Sequence, residues 1–468
     1  MTIVDGSVDA QAIGTDVLVL GAGPAGCCAA LRLLQLGHRV TLLERAPPPR
    51  PHVGESLTPG IANIVALLGV GAQVGALAHA RAPAFVAWES EMPEARDAAH
   101  GNAMVDRAAF DRLLFETVSA RGGRCLAPAR LERLDGEPGA WLASVTAPHG
   151  TMTVRARLVV DARGRQGGAR SATAPAMLAL WSDLEDGPRA NLVEARPDGW
   201  LWGARRPDGR FRVMAFTDPR LVRESGPAHW LHAQLASSRL FAAAARVLRP
   251  EAVCACAATP GRDAASWRPG LIKTGDAAFS IDPLSSSGVE KAMRFALQSA
   301  VAAHTVLGDA KAESLARRFH DERLAEAVSM HAAWARRYYG LAWPDDGQAF
   351  WRLRRAAPEH LPEHEAEPAP AAVSALPPGR IRLCEQLAVV DHPCVVDDRV
   401  QLRRALVHPN LARPVAFLDG AEVAPLLDVL RATPWLRSAM ATWSATMPPA
   451  SAARIAGWLY AHRLVREA

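Results

Sequence analysis

The chain switches between two hydrophobic periods. Residues 16–20 (DVLVL) form a short unbroken apolar run, as a strand buried on both faces requires. After a cluster of glycines, residues 27–37 (CCAALRLLQLG) place apolar side chains at helical spacing and stop at Gly37, a suitable C-cap. Residues 39–44 (RVTLLE) predict the next strand, so the N-terminal region reads as a βαβ unit. A helix is predicted over 105–121, and two strands over 129–134 and 141–147, on either side of Gly136-Glu137-Pro138-Gly139. Residues 153–164 (TVRARLVVDARG) carry a further strand into a second glycine-bearing turn. Two antiparallel strands are predicted over 198–217 around Pro207-Asp208-Gly209. Residues 271–288 (LIKTGDAAFSIDPLSSSG) read as a strand running into a loop, with long helices over 290–307 and 312–340 behind it.

Residues 356–379 change character, becoming rich in Pro, Ala and Glu, and predict a linker. Residues 380–468 mix short helices and strands, which suits a small C-terminal α+β module of winged-helix-like type. The expected fold is therefore α/β, with a Rossmann-like domain, an inserted mixed β-sheet and this module. The first region spans 1–355. Its nucleotide domain takes about 1–80, 100–175 and 260–340, and its inserted sheet about 81–99 and 176–259.

The chemistry gathers in the turns. In 21–26 (GAGPAG), Gly21 permits the tight turn, and Gly23 lets the backbone approach a diphosphate. Pro24 and Ala25 open the helix, and Gly26 allows close packing on the strand. The helix N-terminus offers unpaired N–H groups to the diphosphate. Glu44, at the end of the next strand and followed by Arg45, is placed to accept from ribose hydroxyls. In 275–278 (GDAA), Gly275 and Asp276 end another strand, and Asp276 can accept from a sugar-chain hydroxyl. Pro283, Gly288 and Val289 lead into a helix whose dipole would favour negative charge at its start.

Charge and composition narrow the picture. The chain has 468 residues, 49% hydrophobic and 22% charged, a globular balance. Its net charge of +5 rests almost wholly on arginine, the lysines being Lys273, Lys291 and Lys311. That charge is dispersed, so nucleic acid is not an expected partner. Seven cysteines without a CxxC pair predict reduced structural thiols and no metal site. No apolar run approaches the roughly 20 residues of a membrane span. Residues 1–14 lack a basic stretch before an apolar one, so the expectation is a soluble cytoplasmic protein.

The glycine turn, Asp161-Ala162-Arg163-Gly164 and Gly275-Asp276 together resemble FAD-dependent monooxygenases of the p-hydroxybenzoate hydroxylase type and the related flavin-dependent halogenases. The resemblance covers roughly residues 15–340. It implies FAD on Gly21, Gly23, Pro24, Ala25, Gly26, Glu44, Arg45, Asp161, Gly275, Asp276, Pro283, Gly288 and Val289. It also places Arg107 near the cofactor phosphates and ribitol. The family's Asp-Gly pair is Asp161-Ala162 here, a departure shared by several halogenase-like relatives.

Two segments narrow the likeness. Residues 51–57 (PHVGESL) and 282–289 (DPLSSSGV) are similar to the halogenase branch and to flavoproteins that mature tryptophan-derived quinone cofactors. Halogenases of this branch use a lysine some 25–30 residues after the first segment. Here that region reads ARAPAFVAW, over 80–88, and no lysine precedes Lys273. Their WxWxIP signature is met only by Trp200-Leu201-Trp202.

Hydroxylation of a tryptophan in a small partner polypeptide is therefore the expectation. It would use O2 and either reduced nicotinamide or a partner reductase. Glu55 and Ser56 are the candidate catalytic residues, with Glu55 alternatively a cap for the helix that follows. The module after residue 380 is expected to dock the partner or act as a lid. The rivals are a hydroxylase or halogenase of a small aromatic, a reductase of geranylgeranyl-reductase type, and a flavin-binding redox-responsive protein without catalysis.

Overall fold

The structure is a computed structural model that describes residues 12–46, 53–78, 82–98, 102–166, 170–344, 348–355 and 370–468. The chain divides into two compact units, 1–313 with 320–359 and 314–319 with 360–468.

The first unit is built on a sheet whose continuous apolar strands lie at its centre. Ile13–Leu20 pairs in parallel with Val40–Leu43 on one side and Gly150–Asp161 on the other. Arg124–Leu126 and Leu271–Lys273 extend the parallel run outward. Val17, Leu18 and Val19 are fully buried, because the sheet is covered on both faces. The helices Pro24–Gln35 and Gly288–Gly308 pack against each other over this sheet. Arg130–Glu137 and Ala140–Ala147 form the expected hairpin and join the long strand antiparallel.

A second sheet is made from the inserted segments. Its strand order is Cys254–Ala257, Leu178–Leu184, Phe211–Thr217, Gly199–Arg205, Asn191–Arg196, Ala84–Ala87 and Glu94–Arg96. Its inner strand Phe211–Thr217 is buried at every position. Both faces are packed. One side holds Phe211, Trp230, Leu231, Leu235 and Phe241. On the other, Trp88, Trp200, Phe216, Tyr339, Phe350 and Trp351 form an aromatic cluster.

The second unit carries its own core of Leu376, Ile381, Leu406, Leu427, Leu430, Trp443, Ile455 and Leu459. The hairpin Ala388–Val396 and Arg399–Val407 turns on Asp397 and Asp398, both at positive φ. Val423–Ala432, Leu436–Trp443 and Pro449–Ala461 are its helices, and Ile381–Leu383 pairs with the C-terminal strand Val465–Glu467. Ala371 donates its backbone N–H to Gly457, and Leu376 is 2% exposed, so 370–379 are anchored to the C-terminal core. Residues 356–369 lie outside the described residues. The architecture is the expected mixed α/β fold with an α+β C-terminal module. No helix among the described residues is long and apolar enough to cross a membrane.

Candidate active site

Strand register brings the motifs to one edge of the main sheet. Leu20 is level with Leu43 and with Asp161, and Asp161 with Lys273. The residues just past those strand ends are therefore neighbours: Gly21, Glu44, Ala162 and Thr274. Ligands of open α/β sheets bind at this carboxyl edge.

The glycine turn has no room for side chains. Gly21 stands at φ +96°, and a Cβ there would lie 2.7 Å from the Ala162 carbonyl oxygen. A Cβ on Gly26 would collide with the Gly21 carbonyl. The helix Pro24–Gln35 begins at Gly23 with no side-chain cap and no acidic residue in its first turn. Its N-terminal N–H groups thus point outward unclaimed by side chains, as an anion requires. Glu44 is buried, and its carboxylate accepts from Ala22 N–H at 2.7 Å and Ala46 N–H at 3.0 Å. Arg45 is exposed beside it. This cradle fits the diphosphate and adenosine ribose of an FAD.

The second and third motifs close the same edge. Asp161 is buried, and its carboxylate binds the Arg163 guanidinium at 2.9 and 2.7 Å. Gly275 has φ +57°, and a Cβ there would lie 2.5 Å from the Ala25 side chain. Asp276 receives Lys291 Nζ at 2.7 Å and Arg165 at 3.4 Å. Burial opposes its charge, but Lys291 and Arg165 outweigh it and hold the carboxyl below its ordinary range. Gly288 and Val289 open the helix Gly288–Gly308, whose N-cap Ser287 gives no side-chain bond.

The loop around Gly54 is braced from two directions. Gly54 stands at φ +100°. The Arg107 guanidinium is buried, donates to the carbonyls of Val53 and Gly54 at 3.1 Å each, and pairs with Asp111. Glu55, 2% exposed, is held by Arg212, which also binds Asp183 at 2.7 and 2.8 Å. Glu55 is therefore not a helix cap: the helix Ile61–Leu67 starts at Gly60 without a side-chain bond. Ser56 pairs with Met104 in a short two-stranded ladder. The Thr58 hydroxyl donates to Glu290, tying this loop to the first turn of Gly288–Gly308. Pro51 and His52 of the same segment lie outside the described residues.

The loop after Asp276 opens onto a cavity of about 240 Å³ that sequence reasoning did not find. Ser280, Ile281 and Asp282 form one wall, with Val328, His331, Ala335, Arg336 and Tyr339 opposite. Asp282 is 6% exposed and accepts from Tyr339 Oη at 3.0 and 3.1 Å and from Leu284 N–H at 3.0 Å. Burial pushes its carboxyl pKa up, against those hydrogen bonds and the nearby Arg354. Burial also lowers His331 to about 4, so its imidazole is neutral at physiological pH. Pro283 follows Asp282 directly and starts the turn to Gly288. The sequence signal was Asp282 beside Pro283, but nothing local marks Tyr339, 57 residues away, as its partner.

The family model for FAD dependent oxidoreductases matches residues 16–177. A tryptophan 2-halogenase of Chondromyces crocatus is 29% identical over 330 residues, covering 63% of this chain and 62% of the halogenase. The matched part thus spans less than two thirds of that relative's length. The putative FAD-dependent oxidoreductase LodB of Marinomonas mediterranea is 26% identical over 373 residues, 73% of this chain and 97% of LodB. Among solved structures, the peptidyl tryptophan dihydroxylase QhpG, essential for tryptophylquinone cofactor biogenesis, superposes with a TM-score of 0.77. It is 26% identical, with 96% of this chain and all of that chain covered.

The chain is similar in sequence and fold to FAD-dependent oxidoreductases and flavin-dependent halogenases. These likenesses are those of a flavin-dependent enzyme. The halogenase CmlS shares the fold, with a TM-score of 0.75 at 20% identity over 96% of this chain and 95% of that one.

Proposed function

We propose that the protein is a monooxygenase that hydroxylates a tryptophan side chain in a partner polypeptide, in the making of a tryptophan-derived quinone cofactor. The observation that carries this reading is the cavity beside the loop 280–288. It presents a buried carboxyl, a phenol and a neutral imidazole, and its lining contains no lysine. Halogen transfer in this superfamily runs through an amine, whereas hydroxylation needs a dry pocket and a proton acceptor. The full-length likeness to a peptidyl tryptophan dihydroxylase supports the same reading.

FAD, when reduced, supplies the activation of O2, with electrons from a reduced nicotinamide or a partner reductase. The chain's own residues do the rest. Gly21, Gly23, Pro24, Ala25 and Gly26 hold the diphosphate against the helix N-terminus, and Glu44, with Arg45 beside it, takes the adenosine ribose. Asp276 takes the ribitol. Asp161, locked by Arg163, shapes the turn at Ala162. The N-terminus at Gly288 and Val289, with Pro283 before it, would favour negative charge on a flavin ring held beside it. Arg107 and the Glu55–Arg212 pair fix the loop 53–57, in which Ser56 is held by backbone pairing. Asp282 accepts the proton released by the ring, with Tyr339 orienting its carboxylate.

The helix Glu313–Leu341 lines the cavity and also displays Met330, Trp334, Tyr338 and Leu341, each between 37% and 43% exposed. That apolar face suits a substrate larger than a free amino acid. The test is oxygen transfer to blocked tryptophan peptides by FAD-loaded enzyme under 18O2, read by intact mass. One or two labelled oxygens on the tryptophan are expected. Label confined to free small aromatics, or halogen incorporation when bromide is supplied, rejects the reading.

A further inference from the structure

We propose that Arg336 is a binding site for a carboxylate carried by the substrate next to the ring that enters the cavity. This deepens the reading above and rests on it. Arg336 lines the cavity on the helix Glu313–Leu341, one helical turn before Tyr339. Its Nη1 is buried and has no hydrogen-bond partner. Burial depresses its pKa, and no opposing carboxylate restores it.

The other charged groups of the cavity are spoken for. Asp282 is committed to Tyr339 and the Leu284 N–H. Arg354 donates to the carbonyls of Ala176 and Phe350, and its charge faces Asp282 and Asp218. Arg336 is thus the guanidinium at this wall left without a counter-charge among the described residues. A half-buried cation loses hydration without compensation, and a ligand anion restores the balance. The planar fork of arginine matches a carboxylate in a way that a neutral carbonyl cannot. The carboxylate has two possible sources with one chemistry. It belongs either to an acidic residue flanking the target tryptophan in a polypeptide or to the α-carboxylate of a free aromatic amino acid.

The experiment titrates FAD-loaded enzyme with two matched pairs and follows the flavin absorbance. One pair is N-acetyltryptophan against its amide. The other is a blocked peptide with Asp beside Trp against the same peptide with Asn. Wild-type enzyme is expected to bind the carboxylate member about tenfold or more tightly, a preference that weakens with salt. Arg336→Gln should bring the ratio near one, and Arg336→Lys should keep part of it, which separates a lost charge from a misfolded variant. Wild-type enzyme that binds neither member of both pairs, or binds them equally, overturns the site, as does an Arg336→Gln variant with the ratio intact. A preference seen with N-acetyltryptophan, and no binding by either peptide, keeps the site and rejects the polypeptide reading. Peptide binding that ignores Asp versus Asn does the reverse.

Discussion

Asp282 faces two demands that pull in opposite directions. Its carboxyl is nearly sealed from water, which favours the neutral acid, yet Tyr339 and the Leu284 N–H stabilise the anion. The groups around it are Tyr339, His331, Arg336 and Arg354. Its pKa ends above the ordinary carboxylate value, closer to working pH, where a proton acceptor is most effective. Asp282→Asn is expected to slow oxygen transfer about 100-fold or more while leaving FAD bound, and to remove the acid limb of the pH–rate profile. Stability should move the other way. A carboxyl with a raised folded pKa contributes stability that is present below its unfolded pKa and lost as pH rises through the folded one. The asparagine variant lacks that loss. Denaturation on either side of the folded pKa should therefore show it gaining on wild type at the higher pH. An unchanged pH–rate profile would return the proton to another group.

At the scale of elements, the loop 53–57 depends on partners far away in sequence. Glu55 and Arg212 are 157 residues apart and join the loop 53–57 to the strand Phe211–Thr217 of the second sheet. Removing the cation strands Glu55 in a buried place, while Asp183 keeps its pair with Arg206. Arg212→Met is expected to cost about 3–5 kcal/mol in urea unfolding, and Arg212→Met with Glu55→Gln should recover part of it. A double-variant loss equal to the sum of the Arg212→Met and Glu55→Gln losses would mean the pair is not coupled.

The same contrast explains what the sequence revealed. The turn 21–26 was legible because tight turning, backbone approach and helix packing are local demands that only glycine meets. The strands at 16–20 and 158–161 were legible because burial on both faces demands unbroken apolar runs. Glu55 was visible as a residue but not as an ion pair, since nothing near it points to Arg212. The cavity was invisible for the same reason. Its walls come from 173–175, Pro260, 280–282, 328–339 and 353–354, which only packing brings together. A Pro- and Ala-rich composition at 370–379 does not reveal that Leu376 finds an apolar core to enter.

Across the whole molecule, scarcity of lysine supports the proposed hydroxylation over halogen transfer. The lysines are Lys273, Lys291 and Lys311. Lys273 is buried against Asp263 at 2.7 Å. Lys291 is buried on Asp276 and the Phe279 carbonyl at 2.7 and 2.6 Å. Lys311 is exposed on the turn before the long helix. An amine that carries oxidised halogen must be free and must face the substrate, and neither buried ammonium satisfies the first condition. Halide should therefore be inert. With reduced flavin and O2, added bromide is expected to leave both the rate and the oxygenated product unchanged, and mass spectrometry should find no brominated tryptophan. Converting Lys291 to Met probes the remaining route. If any bromination seen in wild type vanished in that variant, Lys291 would have to leave Asp276 during turnover, and the assignment to hydroxylation would fall. If instead Lys291→Met weakens FAD retention without creating or removing a halogenated product, the amine serves the cofactor cradle and the cavity is left to oxygen chemistry.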